Sequence, residues 1–165
     1  HSLGHVISAR AAQAPVDGLL INAVQWTTVY RDHSIPPEAH IGRAIGGPLA
    51  NLAALVAAGA LRSLIPPGAL GRDLLGIFLA ENALIGGAAM LPLTSCDGGS
   101  LLKWSVYART GDFGRARRAV RRAGSGMSVL LAVLAAIAGL LRRRLTGMAL
   151  AAFSLVSALE SLRRD

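Results

Sequence analysis

The apolar residues of this chain are gathered into long blocks that carry no charge. Residues 44–61 hold no charged side chain over eighteen positions, and residues 123–141 hold none over nineteen. An α-helix needs about 20 predominantly apolar residues to cross a bilayer. The blocks therefore predict membrane-spanning helices. Buried helices of a soluble bundle remain the alternative, although the chain has little amphipathic sequence to surround such helices.

The segment before the first block has a mixed pattern. Residues 1–14 predict the later part of a helix, ended by Pro15 and Gly18. Apolar and polar residues then alternate over residues 16–30, which predicts a short strand or a re-entrant hairpin. We therefore expect a short β element near residues 20–30.

The polar stretch over residues 31–43 predicts an exposed loop, because it contains Pro36-Pro37 and several charges. His33 and His40 would then be ordinary loop histidines. The first full apolar helix is expected over residues 44–65, where Pro66 and the residues after it end the helix sharply.

The next hydrophobic segment, residues 73–107, contains Pro92 and the pair Gly98-Gly99. Prolines and paired glycines leave backbone groups without helical partners, and lipid tolerates this only where protein or water covers them. An irregular helix at membrane depth therefore indicates a candidate site. Residues 127–141 and 145–159 predict a closing helical hairpin.

The fold class predicted by this pattern is an all-α integral membrane protein with four to five hydrophobic helices. We divide it into a membrane core over residues 1–107, a basic connector over 108–126 and a C-terminal helical hairpin over 127–165. We expect a multi-pass protein of a bacterial-type cell membrane. The chain starts directly with the closely spaced histidines His1 and His5 and has no signal-peptide pattern. We therefore also expect a fragment of a longer protein.

The composition agrees with a membrane location. The chain of 165 residues is 53% hydrophobic but only 4% aromatic, and its net charge is +8. Sixteen arginines and one lysine provide the positive charge. They lie between apolar blocks and lack a recognisable nucleic-acid module, so loops at a membrane face explain them better than nucleic acid does. A single cysteine, Cys96, excludes an internal disulfide framework.

Candidate chemistry begins at the first residue. His1 and His5 are four positions apart, so on a helix both imidazoles face the same side and can reach one metal ion. Asp97, far along the chain, could supply a third ligand. In the zinc-protease form of this motif a glutamate follows the first histidine and serves as general base. Here that position is Ser2.

Three motifs in this order resemble the site-2 protease family of intramembrane zinc metalloproteases. They are the segment from His1 to Arg10, the segment from Gly46 to Leu52, and Leu91-Pro92 followed by Asp97-Gly98-Gly99. The resemblance covers roughly residues 1–107 and implies a three-helix catalytic core.

The resemblance implies that His1, His5 and Asp97 bind Zn2+. It also implies structural or substrate-side roles for a second set of residues, namely Gly47, Pro48, Asn51, Pro92, Gly98 and Gly99. The activity implied is hydrolysis of a peptide bond in or beside a substrate's transmembrane segment. The implied partners are the lipid bilayer and such a substrate or a partner protein.

Two positions depart from the family pattern. Ser2 occupies the position of the general base, and a hydroxyl is a much weaker base than a carboxylate. Ala89 stands where the family has an asparagine, three residues before Pro92. Glu81 is a poor replacement for the base, because sixteen residues of continuous helix would place it about 24 Å from Asp97. The function expected is therefore a zinc metalloprotease impaired by Ser2, and the alternative is an inactive relative that binds or regulates a membrane partner.

Overall fold

The computed structural model describes residues 1–14, 16–21, 26–29, 35–140 and 144–162. These residues form six helices and one two-stranded sheet. In chain order the elements are α1 (Ser2–Ala11), β1 (Gly18–Ile21), β2 (Trp26–Val29), α2 (Pro37–Ser63), α3 (Leu70–Ala89), α4 (Asp97–Thr110), α5 (Phe113–Leu140) and α6 (Arg144–Leu162). The predicted class, a helical membrane-type fold with a short β element, is confirmed.

The chain divides into two compact units, His1–Met90 and Leu91–Asp165. The first unit holds α1, the β strands, α2 and α3, and the second holds α4, α5 and α6. The division at residues 107 and 126 that the sequence suggested stays a prediction. Residues 113–126 of the expected connector are helical and continue without interruption into the apolar part of α5.

The β element expected near residues 20–30 is confirmed. Strands β1 and β2 pair antiparallel, with Gly18 opposite Val29 and Ile21 opposite Trp26. The Asp17 N–H extends the pairing by donating to the Val29 carbonyl at 3.0 Å. Residues 22–25, between the strands, lie outside the described residues.

The loop expected over residues 31–43 is wrong in its second half. Helix α2 begins at Pro37, and His40 and Arg43 are buried in it, at 3% and 7% exposed. Proline is common in the first turn of a helix as well as in loops, because a backbone N–H in that turn would have no partner within the helix. His33 lies outside the described residues.

The break expected at Gly98-Gly99 lies earlier in the chain. Helix α3 ends at Ala89, residues 90–96 are irregular, and α4 begins at Asp97, so both glycines are helical. Pro92 has no N–H for a helix, and the Cys96 N–H closes a turn on the Leu93 carbonyl at 3.0 Å. A Cβ on Gly99 would overlap the Leu93 backbone. The glycine therefore permits this turn to pack on α4.

Helices α5 and α6 pack through a seam of serine hydroxyls. The Gly124 carbonyl accepts hydrogen bonds from Ser128 at 3.1 Å and from Ser157 at 2.8 Å. Ser154 donates to the Ser128 carbonyl at 2.9 Å. Ser157 is fully buried. The bonds from Ser154 and Ser157 join the two helices, and such interhelical hydrogen bonds stabilise helix pairs where hydrophobic burial between helices gives little driving force.

Two of the described helices, α2 and α5, are long and apolar enough to cross a membrane, and a shorter apolar segment lies at Thr146–Leu159. Large apolar side chains on both helices are exposed, among them Leu52, Val56 and Val133 at 50% or more. Extended exposed apolar surface is unusual on a soluble monomer and indicates contact with lipid or with other protein.

Candidate metal centre

Helix α1 brings the imidazoles of His1 and His5 together. His1 is the N-cap residue, and His5 lies one turn later and is 7% exposed. Their Nε2 atoms are 3.2 Å apart, with the rings edge to face at 4.8 Å between centroids. Two nitrogen ligands of a tetrahedral Zn2+ ion, each about 2.0–2.1 Å from the metal, lie about 3.3 Å from one another. The observed separation fits two ligands on one ion, and it is also short enough for a hydrogen bond between the two rings.

The tautomer of His5 follows from its other ring nitrogen. His5 Nδ1 lies 2.8 Å from the Arg43 carbonyl oxygen, which can only accept a hydrogen bond. Nδ1 therefore carries the proton, and in the neutral ring Nε2 carries the lone pair, on the side facing His1. Histidines that bind metals are oriented in this way by a backbone carbonyl or a carboxylate.

Gly47 on α2 packs directly against the two imidazoles. A Cβ at this position would lie 2.7 Å from His1 Nε2 and still closer to His5 Nε2. Carbon atoms of side chains do not approach other atoms so closely, so the rings occupy space that only glycine leaves open. The donor type, the spacing of the two nitrogens and this cradle all fit a zinc ion.

A seam of small residues holds α1 antiparallel against α2. A Cβ on Gly4 would lie 2.6 Å from the Ala50 Cβ and would overlap the Gly46 carbonyl. Further along, Gly42 faces Ala12. Small residues let two helix backbones approach closely, which is how the Arg43 carbonyl comes within reach of His5.

Three supporting residues were missed at the sequence level. Arg43 offers its carbonyl to His5, and the Ser8 hydroxyl is within hydrogen-bonding distance of the same carbonyl, at 3.3 Å. The Arg43 guanidinium donates to His40 Nδ1 at 2.8 Å, and both side chains are buried. Helical periodicity could have predicted Ser8, because it lies three positions after His5 on the same face of α1. The same periodicity could have indicated Arg43, which lies four positions before Gly47 on α2.

Pro48 and Asn51 lie on α2 after Gly47. Pro48 has no N–H to donate to the Ala44 carbonyl, which interrupts the helical hydrogen bonds next to the site. Asn51 is 2% exposed, and its amide donates to the Asn82 carbonyl on α3 at 3.2 Å. Asn51 therefore joins two helices of the first unit.

The remaining residues of the predicted site belong to the second unit. Pro92 lies in the irregular segment before α4, and Asp97, Gly98 and Gly99 form the first turn of α4. A carboxylate in a first helical turn interacts favourably with the helix dipole. The assignment of Asp97 as a third ligand stays a prediction.

The positions that depart from the family pattern are both at helix ends. Ser2 is the first residue of α1, and Ala89 is the last residue of α3. Glu81, the carboxylate considered as a replacement base, is exposed on α3.

The fold is similar to a solved structure, the Site-2 Protease from Methanocaldococcus jannaschii, with a TM-score of 0.65 and 18% sequence identity. The similarity covers 100% of this chain and 74% of that chain. A scan against protein-family models and a search of curated proteins found no match. The chain thus has a site-2 protease-like fold, and this fold together with α2 and α5 indicates a membrane protein.

Proposed function

We propose that this chain is a multi-pass member of the site-2 protease family of a bacterial-type membrane, with a zinc site made by His1, His5 and Asp97. The proposed activity is hydrolysis of a peptide bond in or beside a transmembrane segment of a substrate, weakened by Ser2. The observation that carries the proposal is the pair of Nε2 atoms 3.2 Å apart above Gly47.

The supporting groups around this pair favour metal binding over a chance contact. The Arg43 carbonyl fixes the proton of His5 on Nδ1 and so directs the Nε2 lone pair toward His1. Zinc, when bound, would act as a Lewis acid that activates water and polarises a carbonyl group. The residues of α1 and α2 hold the His5 imidazole in place, because it is buried, packs on Gly47 and donates to the Arg43 carbonyl.

Asp97 is proposed as the third ligand on the resemblance of the Leu91-Pro92 and Asp97-Gly98-Gly99 segments to the family motif. A carboxylate is a common partner of two histidines at zinc sites that keep one position open for water. The fold similarity supports this assignment, since it extends over the whole chain.

Ser2 favours a second candidate function. A hydroxyl at the first residue of α1 cannot take a proton from water as a carboxylate does, and Ala89 removes a further polar group from the family pattern. A relative that keeps the fold and the metal but only binds a membrane partner would carry these two substitutions without cost.

Metal content tests the zinc site. The full chain, purified in a non-ionic detergent, is expected to hold one zinc ion, and His5→Ala and Asp97→Ala are each expected to lose it. Asp73→Ala is the matched control, because Asp73 is also a carboxylate in the first turn of a helix, α3. Absence of zinc from the unaltered chain, or equal zinc in all four proteins, would contradict the proposed site.

Cleavage of a model transmembrane substrate separates the two functions. The unaltered chain is compared with Ser2→Glu, each with and without a zinc chelator. Chelator-sensitive cleavage by the unaltered chain supports the protease. Cleavage by Ser2→Glu alone supports a metal-binding relative that has lost its base. If neither protein cleaves, although both bind zinc, the proposed proteolysis is refuted.

A further inference from the structure

A strongly basic surface extends from the middle of α4 over the first ten residues of α5. Between residues 103 and 140 the sequence has seven cationic side chains and one acidic side chain, Asp112. We call six of these cationic residues the basic surface, namely Lys103, Arg115, Arg117, Arg118, Arg121 and Arg122. Neither the zinc site nor the proposed proteolysis accounts for this concentration of charge.

The arginines of α5 face away from the interior of the second unit. The buried residues of this part of α5 recur every four positions, at Ala116, Val120, Gly124 and Ser128. All five arginines are exposed and lie off this stripe. Their charge is therefore directed at the surroundings of the unit.

Asp112 offsets part of this charge at the start of α5. Its carboxylate lies 3.2 Å from Arg115 Nε and 3.8 Å from an Arg118 nitrogen, and both arginine side chains are more than half exposed. The pKa of Asp112 is lowered, first because the Arg115 backbone N–H donates to it and further because of Gly114 N–H and the two arginine charges. Arg121 and Arg122, one turn further on, have no acidic neighbour within three positions along the helix.

The length of α5 determines where these charges would lie relative to a lipid bilayer. The helix has 28 residues, which is about 42 Å. Residues 113–122, about 15 Å long, carry every charge, and residues 123–140, about 27 Å long, carry none. The uncharged part thus matches a hydrocarbon layer of about 30 Å, and the charged part then lies at the level of the lipid headgroups.

Aromatic side chains lie next to the cationic side chains of the basic surface. Trp104, Tyr107 and Phe113 pack with ring centroids 5.6–5.9 Å apart. The Lys103 ammonium lies 4.9 Å from the Trp104 ring and the Arg117 guanidinium 5.0 Å from the Phe113 ring. Aromatic residues concentrate at the boundary between headgroups and hydrocarbon, and guanidinium groups bind phosphate through paired hydrogen bonds.

We propose that the basic surface binds the phosphate headgroups of anionic phospholipids, and that it selects them over zwitterionic lipids. The surface is continuous with an apolar helix of membrane length, which favours a lipid over a nucleic acid as the occupant. The proposal requires α5 to lie in a membrane, but it does not depend on zinc or on proteolysis.

Quenching of Trp104 fluorescence tests the selection. The full chain with Trp26→Phe, which leaves Trp104 as the one tryptophan, is reconstituted in phosphatidylcholine bilayers. Nitroxide-labelled phosphatidylglycerol, or phosphatidylcholine with the same label, is then added at equal mole fraction. We expect phosphatidylglycerol to quench more strongly. The preference should fall severalfold in Arg121→Gln/Arg122→Gln, with about fivefold per arginine as the upper bound.

Two control proteins separate charge from a change in the fold. Arg121→Lys/Arg122→Lys keeps the charge and should retain most of the preference, and Arg10→Gln, an exposed arginine of α1, should leave it unchanged. Equal quenching by both lipids, or an undiminished preference in the glutamine protein, would overturn the proposal. Displacement of the labelled phosphatidylglycerol by an oligonucleotide would also overturn it, by assigning the surface to nucleic acid.

Discussion

Gly47→Ala should abolish zinc binding without lowering the helix content of α2. Ordinary van der Waals contact begins at 3.4 Å, and the new Cβ would lie 2.7 Å from His1 Nε2, so this ring must retreat by about 0.7 Å and the His5 ring by more. Metal sites tolerate changes of only about 0.2 Å in ligand distances. Loss of an outer-shell partner alone costs about 10–100-fold in affinity, and displacement of two ligands should exceed this.

The assay is zinc affinity, measured by competition with a chelator, together with the helix content from circular dichroism. Gly59→Ala is the matched control, because Gly59 lies in the same helix with nothing within 4 Å of the new Cβ. Alanine is favoured over glycine in a helix by about 1 kcal/mol, so this control should be neutral or stabilising and should bind zinc normally.

A double-mutant cycle keeps the reasoning testable in metal-free protein. Gly47→Ala should destabilise the chain when His1 and His5 are present, and should become neutral or stabilising when both are alanine. A Gly47→Ala protein with unchanged zinc affinity, or the same destabilisation in both backgrounds, would refute the convergence of the two imidazoles over position 47.

Three further changes test other parts of the structure. Asn51→Ala removes the hydrogen bond to the Asn82 carbonyl and should lower the free energy of unfolding by about 1–2 kcal/mol, while Asn51→Asp should not restore it, because a carboxylate cannot donate. Ser157→Ala should cost about 1 kcal/mol in thermal unfolding; no loss would contradict the seam at Gly124. The pKa of Asp112 is lowered in the folded state, so its carboxylate stabilises the fold fully above the ordinary pKa of 3.8. This stabilisation is lost as the pH falls through the lowered pKa of the folded state. Asp112→Asn should therefore make the free energy of unfolding less dependent on pH in the acid range.

The sequence predicted those parts of the site that depend on neighbours along the chain. The spacing of His1 and His5 specifies one helical face, and the structure brings their nitrogens together on α1. The resemblance also drew attention to Gly47, but only the structure shows that it makes room for the imidazoles.

The supporting contacts could not be predicted in this way, because they join distant segments. His5 and the Arg43 carbonyl are 38 positions apart, and only the packing of α1 on α2 brings them together. The same packing buries His40 inside a helix where Pro36-Pro37 suggested a loop. At Gly98-Gly99 local preference favours a break, but both glycines lie within α4, and Gly99 packs against the Leu93 backbone.

The small-residue seam between α1 and α2 has a consequence for how substitutions would accumulate. Gly4, Gly42 and Gly46 are confined to small side chains by the opposite helix, whether or not a metal is bound. A descendant that lost its chemistry altogether would therefore keep these glycines for as long as it kept its fold. His5 is likewise held by burial and by its hydrogen bond to the Arg43 carbonyl, whereas His1 is exposed. If the proposed zinc site is real, retention or loss of His1 would therefore record selection on the metal more directly than the glycines would.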